Sequence, residues 1–357
     1  MDRHTVCALT LSFLALPALA QSAAPASAPA APAVAPPGQS APDAAAAAPA
    51  AAAEDAPPVT VVVEGRRPGP GVWKVTKGDH VLYVFGTYSP LPQKMEWDSS
   101  RIERLVAHSQ EVLMPPSANA HVGFFRGLTL LPNLIGIKKN PDGATLHDVL
   151  PADVYARWST LKAKYIGEDS GIERERPMFA SEALMRAGWK KNGLVGGGIV
   201  LGKIEEIAKK NKVKLSRSGY EMDLEDPRKL IKDFKAAQVD DVACFTKTLD
   251  SLDADIDTMR ARANAWANGN IAEIRKVNYR EREDACDNAI LNSAVIKNNA
   301  DFRQTPERLR EAWLKTAEKS LADNASTFAI LQIRDIIDPK GYLADLQAKG
   351  YTVESPK

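Results

Sequence analysis

The sequence predicts an α/β fold: a small mixed, partly parallel β-sheet flanked by many helices. Three observations carry this expectation. The apolar run Val81-Leu-Tyr-Val-Phe85 stops on Gly86, as a buried strand does when it ends at the rim of an α/β sheet. The close of the chain, "TFAILQIRDIIDPKGYLADLQAKGYTV", reads strand, helix, strand, an order that implies parallel pairing. Between these ends, apolar residues recur at helical spacing, and Trp158, Trp189, Trp266 and Trp313 are spaced like core anchors.

At the start, Arg3 and His4 form a weakly basic region before the apolar run Val6 to Leu16, and Ala18-Leu19-Ala20 fits a small-x-small cleavage site. This pattern reads as a secretory signal peptide at residues 1–20, cleaved after Ala20, and predicts an exported protein, periplasmic or secreted. The run is too short to span a bilayer, no later segment has transmembrane length, and Cys7 lacks the preceding small residues of a lipoprotein site. Residues 21–70 are mostly Ala and Pro, a low-complexity tether without the large apolar side chains a core requires. Within it Thr60 to Val63 is strand-like, and "GRRPGPG" breaks the chain again, so the folded domain is expected over residues 71–357.

Val72 to Val75 and Val81 to Phe85 flank Lys77-Gly78-Asp79, a hairpin signal. Ile102, Leu105 and Val106 mark a helix capped by Ser99 or Ser100, and Val112-Leu-Met114 is a short apolar piece stopped by Pro115-Pro116. Helices are expected at Ala152 to Lys164, Met178 to Lys190 and Ile199 to Lys210, then a short strand at Val213 to Leu215. Asp226-Pro227 reads as an N-cap followed by proline at the first helical position. Long helices run on to Trp266, with Gly269 as a stop. Thr305-Pro306-Glu307 opens a capped helix through Trp313 to Leu321. The strand Thr327 to Leu331, a helix from Gly341 to Lys349 and Tyr351 to Val353 end the chain.

The 357 residues are 45% hydrophobic and 25% charged with a net charge of +1, so nothing in the charge suggests a nucleic-acid footprint and no nucleic-acid partner is expected. Cys244 and Cys286 remain beyond the signal peptide, either as a disulfide suited to an oxidising compartment or as two buried thiols. "GGIVLGKI", Gly197 to Ile204, approaches a phosphate-binding loop, but Ile204 replaces the Mg²⁺-binding hydroxyl, which favours a plain turn into a helix. His80, His108, His121 and His147 show no helical pair spacing, so no zinc site is assigned, and His80 and His108 are expected to be solvated. Ser89 sits on a strand exit, but Pro90 removes the next backbone donor an oxyanion hole would use. Arg334 and Asp335 fall just past the carboxyl end of a parallel strand, where open α/β sheets bind ligands, although a surface ion pair or cap is the simpler and favoured reading.

The order of these pieces resembles the TraB/GumN family, whose animal relatives include the TIKI metalloproteases. The resemblance rests on "GVWKVTKGDHVLYVFGTYSPLP", "GYEM" at Gly219 to Met222, "ANAWANGNIAEI" and the closing "GYLADLQAKGYTV", and runs from Gly71 to Val353. It implies a metal-dependent, peptidase-like hydrolase ancestry with a histidine after each of two strands. Here those positions carry Ser89 and Asp335, the second motif reading Gln332-Ile-Arg-Asp335, and the family's Arg-Asn pair before a tryptophan falls at Leu309-Arg310 before Trp313. Of the polar centre that the resemblance implies, Glu221 persists.

A divalent zinc site needs about three protein ligands, usually with histidine among them. Ser89, Glu221 and Asp335, the candidate catalytic residues, form a poor set for such an ion. The expectation is therefore a catalytically degenerate exported protein with no cofactor. It would bind an envelope protein or peptide through a former cleft lined by Gly86, Tyr88, Ser89, Glu221, Arg334 and Asp335. The alternative is a hydrolase with a rearranged metal site or a Ser89 nucleophile.

Overall fold

The structure, a computed structural model, describes residues 69–356 apart from 122–123, 197, 238, 255 and 277–279. The expected signal peptide, the cleavage after Ala20 and the strand-like Thr60 to Val63 lie outside the described residues, as does the Ala/Pro arm up to residue 68.

A hairpin opens the described chain. β1 (Val72–Lys77) and β2 (His80–Thr87) pair antiparallel, with Val72 opposite Phe85 and Lys77 opposite His80. The turn between them uses Gly78 at φ +59°, a conformation glycine adopts without steric cost. β3 (Leu91–Pro92) leads to α1 (Ser100–Ala107), for which Ser99 is the N-cap residue. β4 (Glu111–Leu113) and β5 (Ser117–His121) are separated by Pro115-Pro116, and α2 (Phe124–Leu134), α3 (Leu146–Val149), α4 (Ala152–Tyr165) and α5 (Pro177–Lys191) follow. β6 (Leu194–Val195), α6 (Gly198–Lys210), β7 (Lys214–Ser216) and β8 (Gly219–Asp223) come next. A helical run continues as α7 (Pro227–Ala236), α8 (Val242–Ala254), α9 (Ile256–Ala267), α10 (Ile271–Arg275), α11 (Arg280–Leu291), α12 (Ala294–Lys297), α13 (Ala300–Arg303) and α14 (Thr305–Asp323). The chain ends with β9 (Ser326–Gln332), α15 (Ile333–Ile337), α16 (Tyr342–Ala348) and β10 (Thr352–Glu354).

Local chemistry explains several of these boundaries. Asp226 caps α7 by accepting the Lys229 N–H at 3.0 Å, and Pro227 fills the first helical position. Gly269 at φ +66° follows the end of α9. The expected cap at Thr305 is shifted by one residue. Gln304 takes the N-cap position without a side-chain bond, and the Thr305 hydroxyl donates back to the Asp301 carbonyl at 2.9 Å.

The main sheet is mixed, in the order β10-β1-β2-β9-β4-β7. β2, β9, β4 and β7 run parallel, while β1 and β10 pair antiparallel at one edge. The central strands are buried on both faces, which is why β9 reads as an uninterrupted apolar run. Phe85, Phe328, Trp266 and Trp313 fill one core around this sheet. A second core, of helices, gathers Trp158, Leu184, Phe245 and Leu249, with Trp189 half-buried at its border.

Two buried charges organise that second region. Arg176 is 2% exposed and donates to the carbonyls of Lys139, Phe234, Lys235 and Ala237 at 2.8–3.1 Å, so one guanidinium satisfies the carboxyl end of α7. Asp241, also 2% exposed, accepts the Met178 N–H at 2.7 Å in the first turn of α5. Burial pushes the Asp241 carboxyl up to about 6, against the opposing pull of that N–H and of Arg176. Cys244 in α8 and Cys286 in α11 are joined as a disulfide with Cα atoms 4.4 Å apart.

Because Asp241 holds its proton more tightly when folded, its contribution to stability is greatest at low pH and is lost as pH rises from about 4 through about 6. Asp241→Asn keeps the acceptor without the charge. It should stabilise the protein by about 1–2 kcal/mol at pH 7 and by nothing near pH 4. Urea melts at the two pH values check this; an equal effect at both would refute the assignment.

Candidate functional site

The carboxyl ends of the parallel strands define the rim. β2 and β9 reach it side by side, with Gly86 beside Leu331 and Thr87 beside Gln332. The chain after β9 turns at once into α15, and this turn depends on Gly86: a Cβ there would lie 3.0 Å from Cγ1 and 3.2 Å from Cα of Ile333. Trp266 locks the same point by donating its Nε1–H to the Gly86 carbonyl at 2.7 Å, and the Thr87 hydroxyl donates to the Leu331 carbonyl at 3.2 Å. "ANAWANG" and "FGTY", distant in sequence, thus meet through one buried hydrogen bond.

Ser89 is exposed just past this point, and its bond to the buried Pro90 is cis. Tyr88 is 5% exposed and belongs to the core under the rim. Asp335 and Arg334 lie in α15 within one turn of the end of β9, with Arg334 Nε 3.5 Å from Asp335 Oδ1. The backbone is tight here: a Cβ on Gly341 would sit 2.1 Å from the Asp335 carbonyl oxygen, so the return into α16 requires glycine.

Around Asp335 the structure gathers residues that the sequence reading did not include in the cleft. Arg310, from α14, pairs with Asp345 of α16 and donates to the carbonyls of Lys340 and Gly341. Tyr342 lies edge-on to Trp313 with ring centroids 5.1 Å apart. Burial, then the neighbouring Asp335 carboxylate, push the Tyr342 phenol up to about 12. Trp313 is fully buried, and among the described residues its Nε1–H has no hydrogen-bond partner. The sequence held one signal for this group: Arg310 stands three residues before Trp313, where the resemblance places a polar pair.

Glu221 sits on a different piece of backbone. The pairing of β4 with β7 is interrupted at Pro115-Pro116 and resumes beyond the rim as the two-stranded β5·β8 ribbon, Asn119 opposite Glu221. Tyr220 and Met222 face α13 and α14: the Tyr220 hydroxyl donates to the Asp301 carbonyl of α13 at 3.1 Å, Arg308 of α14 stacks 5.0 Å from the Tyr220 ring, and the Thr305 hydroxyl of α14 lies 3.7 Å from the Met222 sulfur. By strand alternation Glu221 points the other way, and it is exposed.

Of the two histidines expected to be solvated, His108 is exposed, with Nδ1 2.7 Å from the Arg104 carbonyl one turn back, whereas His80 is half-buried, with Nδ1 2.7 Å from the Leu321 carbonyl near the end of α14. Among the described residues, no three His, Cys, Asp or Glu side chains converge as a metal cage would require. Ser89, Glu221 and Asp335 do not fit the ion that the resemblance implies: a neutral hydroxyl, a carboxylate on a separate ribbon, and a carboxylate 3.5 Å from an arginine nitrogen. Lys203 of the phosphate-loop-like stretch lies inside α6, 3.8 Å from Glu103 of α1, and β6 before it pairs antiparallel with β3. A groove of about 410 Å³ between α1 and α6 shares no lining residue with the rim.

At the opposite, amino end of the strands, Glu111 is a second buried carboxylate that the sequence reading missed. One oxygen accepts from Ser216 and, at 2.9 Å, from Lys214; the other accepts from Ser320 at 2.8 Å and Asn324 at 2.9 Å. Burial alone would raise its carboxyl, but bonds from Ser216, Lys214 and Ser320 outweigh this and hold it at about 2. No periodicity marks such a residue; its partners come from β7 and from the end of α14, both far along the chain.

A model of the TraB/PrgY/gumN family matches residues 71–355. No curated protein and no solved structure in the comparisons matches the chain.

Glu111 binds its proton less tightly in the folded state, so its stabilisation is complete above pH 4.5 and is lost as pH falls toward 2. Glu111→Gln should cost on the order of 2–3 kcal/mol at pH 7, and the cost should shrink steadily below pH 4.5. A pH-independent penalty in denaturant melts would show that packing, and not charge, holds this end of the sheet.

Proposed function

The chain belongs to the TraB/PrgY/gumN family, and from that premise we propose that it is an exported, catalytically degenerate member that binds a peptide or envelope protein through the former active-site cleft. The observation that carries this reading is the substituted donor set on a kept rim. The buried strand, its terminal Gly86, the Trp266 hydrogen bond to it and the glycine-dependent turn into α16 are the features that position groups at a strand end. The side chains they present are Ser89 and the Arg334–Asp335 pair. A hydroxyl that stays protonated near neutral pH is a weak metal ligand, and a carboxylate facing a guanidinium has its charge already offset.

Such a rim suits recognition. Ser89 can donate or accept a hydrogen bond, Arg334 and Asp335 offer opposite charges side by side, and the exposed Glu221 adds an acceptor on the neighbouring ribbon. An extended peptide carries alternating donors and acceptors that such groups match. Export follows from the signal-peptide pattern at residues 1–20, and the Ala/Pro arm to residue 70 gives the domain reach.

Calorimetric titration of the protein beginning at Gln21 with Zn²⁺ and Mn²⁺ should show no stoichiometric binding in the sub-micromolar range. Selection from a displayed peptide library should enrich binders whose affinity falls about tenfold or more with Ser89→Trp or Asp335→Lys. Melting temperatures should stay within a few degrees of the parent. Stoichiometric, tight metal binding would defeat the proposal. Peptide hydrolysis abolished by Ser89→Ala, Glu221→Gln or Asp335→Asn would establish the hydrolase reading in its place.

A further inference from the structure

A surface separate from the rim carries an unassigned combination of apolar and basic groups. α2 ends at Leu134, and the stretch across its end, Leu130 to Lys139, reads "LLPNLIGIKK". Leu130 is buried, but Leu131 is 54% exposed and Ile135, four residues on, is 75% exposed, the largest value among the exposed large apolar side chains of the described residues. α7 packs against the end of this helix, with Lys235 Nζ donating to the carbonyls of Ile135 at 2.7 Å and Asn133 at 3.3 Å. On α7, Arg228, Lys232 and Lys235 are spaced four and then three apart, so they form one stripe that ends beside Ile135. Lys138 and Lys139 follow the apolar tip directly. Among the described residues Arg228, Lys232 and Lys138 have no acidic partner, and Lys138 Nζ lies 5.7 Å from the Phe179 ring centroid. The nearby acids on α7 are committed: Asp233 pairs with Lys229, and Asp226 caps the helix.

We propose that this patch is a peripheral docking site for an anionic lipid bilayer. Leu131 and Ile135 would enter the interfacial region, with Arg228, Lys232 and Lys138 at the headgroups. Two exposed aliphatic side chains beside a row of uncompensated cations match the two attractions that hold a monotopic protein on a membrane, apolar burial and charge. The lack of partners for the cations argues for an anionic occupant. It also argues against a second copy of this chain, since a symmetric contact would set the same cations against each other. The Ala/Pro arm, residues 21–58, lacks the large apolar and the clustered acidic residues needed to cover the patch itself. The proposal is independent of whether the rim binds peptide or metal.

The test is co-sedimentation of the protein beginning at Gln21 with vesicles of pure phosphatidylcholine and with vesicles of phosphatidylcholine and phosphatidylglycerol in equal parts. Binding is expected to the anionic vesicles, weak to the neutral ones, and lost in high salt. Arg228→Glu with Lys232→Glu should lower the partition coefficient about tenfold or more. Leu131→Ser with Ile135→Ser should lower it by a similar factor without moving the melting temperature, because all four side chains lie at the surface. No anionic binding, equal binding to both vesicle types, or binding untouched by either pair of substitutions would overturn the proposal. So would concentration-dependent dimers that disappear with the serine substitutions, which would assign the patch to self-association, or polyglutamate binding as strong as vesicle binding, which would assign it to an acidic protein.

Discussion

The parallel ladder between β2 and β9 is the constraint from which the rest of the structure follows. It pairs Val81 through Thr87 with Ser326 through Gln332, bringing the start and the end of the domain together across nearly its whole length. Closing so long a loop costs entropy that grows only slowly with its length. The return is burial of both strands on both faces, together with Trp266 and Trp313. Once the ladder is made, β1 and β10 can only add at one edge, and β4 and β7 only at the other. The strands' carboxyl ends then converge on one rim, where Gly86 and Ile333 touch because no Cβ intervenes.

The two ends of the sheet are electrostatically unlike. At the amino end Glu111 is enclosed by four donors and remains ionised, as a buried carboxylate must unless it takes up a proton. That network joins β4, β7 and the last turns of α14 and behaves as a structural pin. At the carboxyl end the charges are paired and half-exposed, Arg310 of α14 with Asp345 of α16, and Arg334 with its neighbour Asp335 in α15. Donors arranged to satisfy one buried anion make an end rigid. Opposite charges near the surface leave room for a partner to exchange contacts. This contrast is the physical reason the proposed recognition is sited at the rim and not at the other end.

The helical region adds a third kind of organisation. Its core is apolar, but its connections are held by ionic groups that serve backbone: Arg176 takes the unsatisfied carbonyls at the end of α7, and Asp241 takes an N–H of α5. The Cys244–Cys286 disulfide ties α8 to α11 in the same region. By presenting α7 with its carboxyl end fixed, Arg176 also orients the basic stripe beside the exposed tip of α2.

Much of this was written locally. Period-two and helical patterns, the Gly78 turn, the Asp226-Pro227 start and the apolar β9 run are short-range signals, and the elements stand close to where those signals put them. The family could be recognised because its pieces keep their order along the chain. The sequence by itself also determined that serine and aspartate stand after β2 and β9, since residue identity needs no coordinates. Only the tertiary structure decided which groups meet there. Glu111, Arg310, Tyr342 and Asp241 left no mark in periodicity or composition, because a hydrogen bond or a raised phenol depends on through-space neighbours far apart in the chain. The same reason separates Glu221 from Asp335: the break at Pro115-Pro116 is visible in sequence, but the ribbon built beyond it exists only when β5 finds β8.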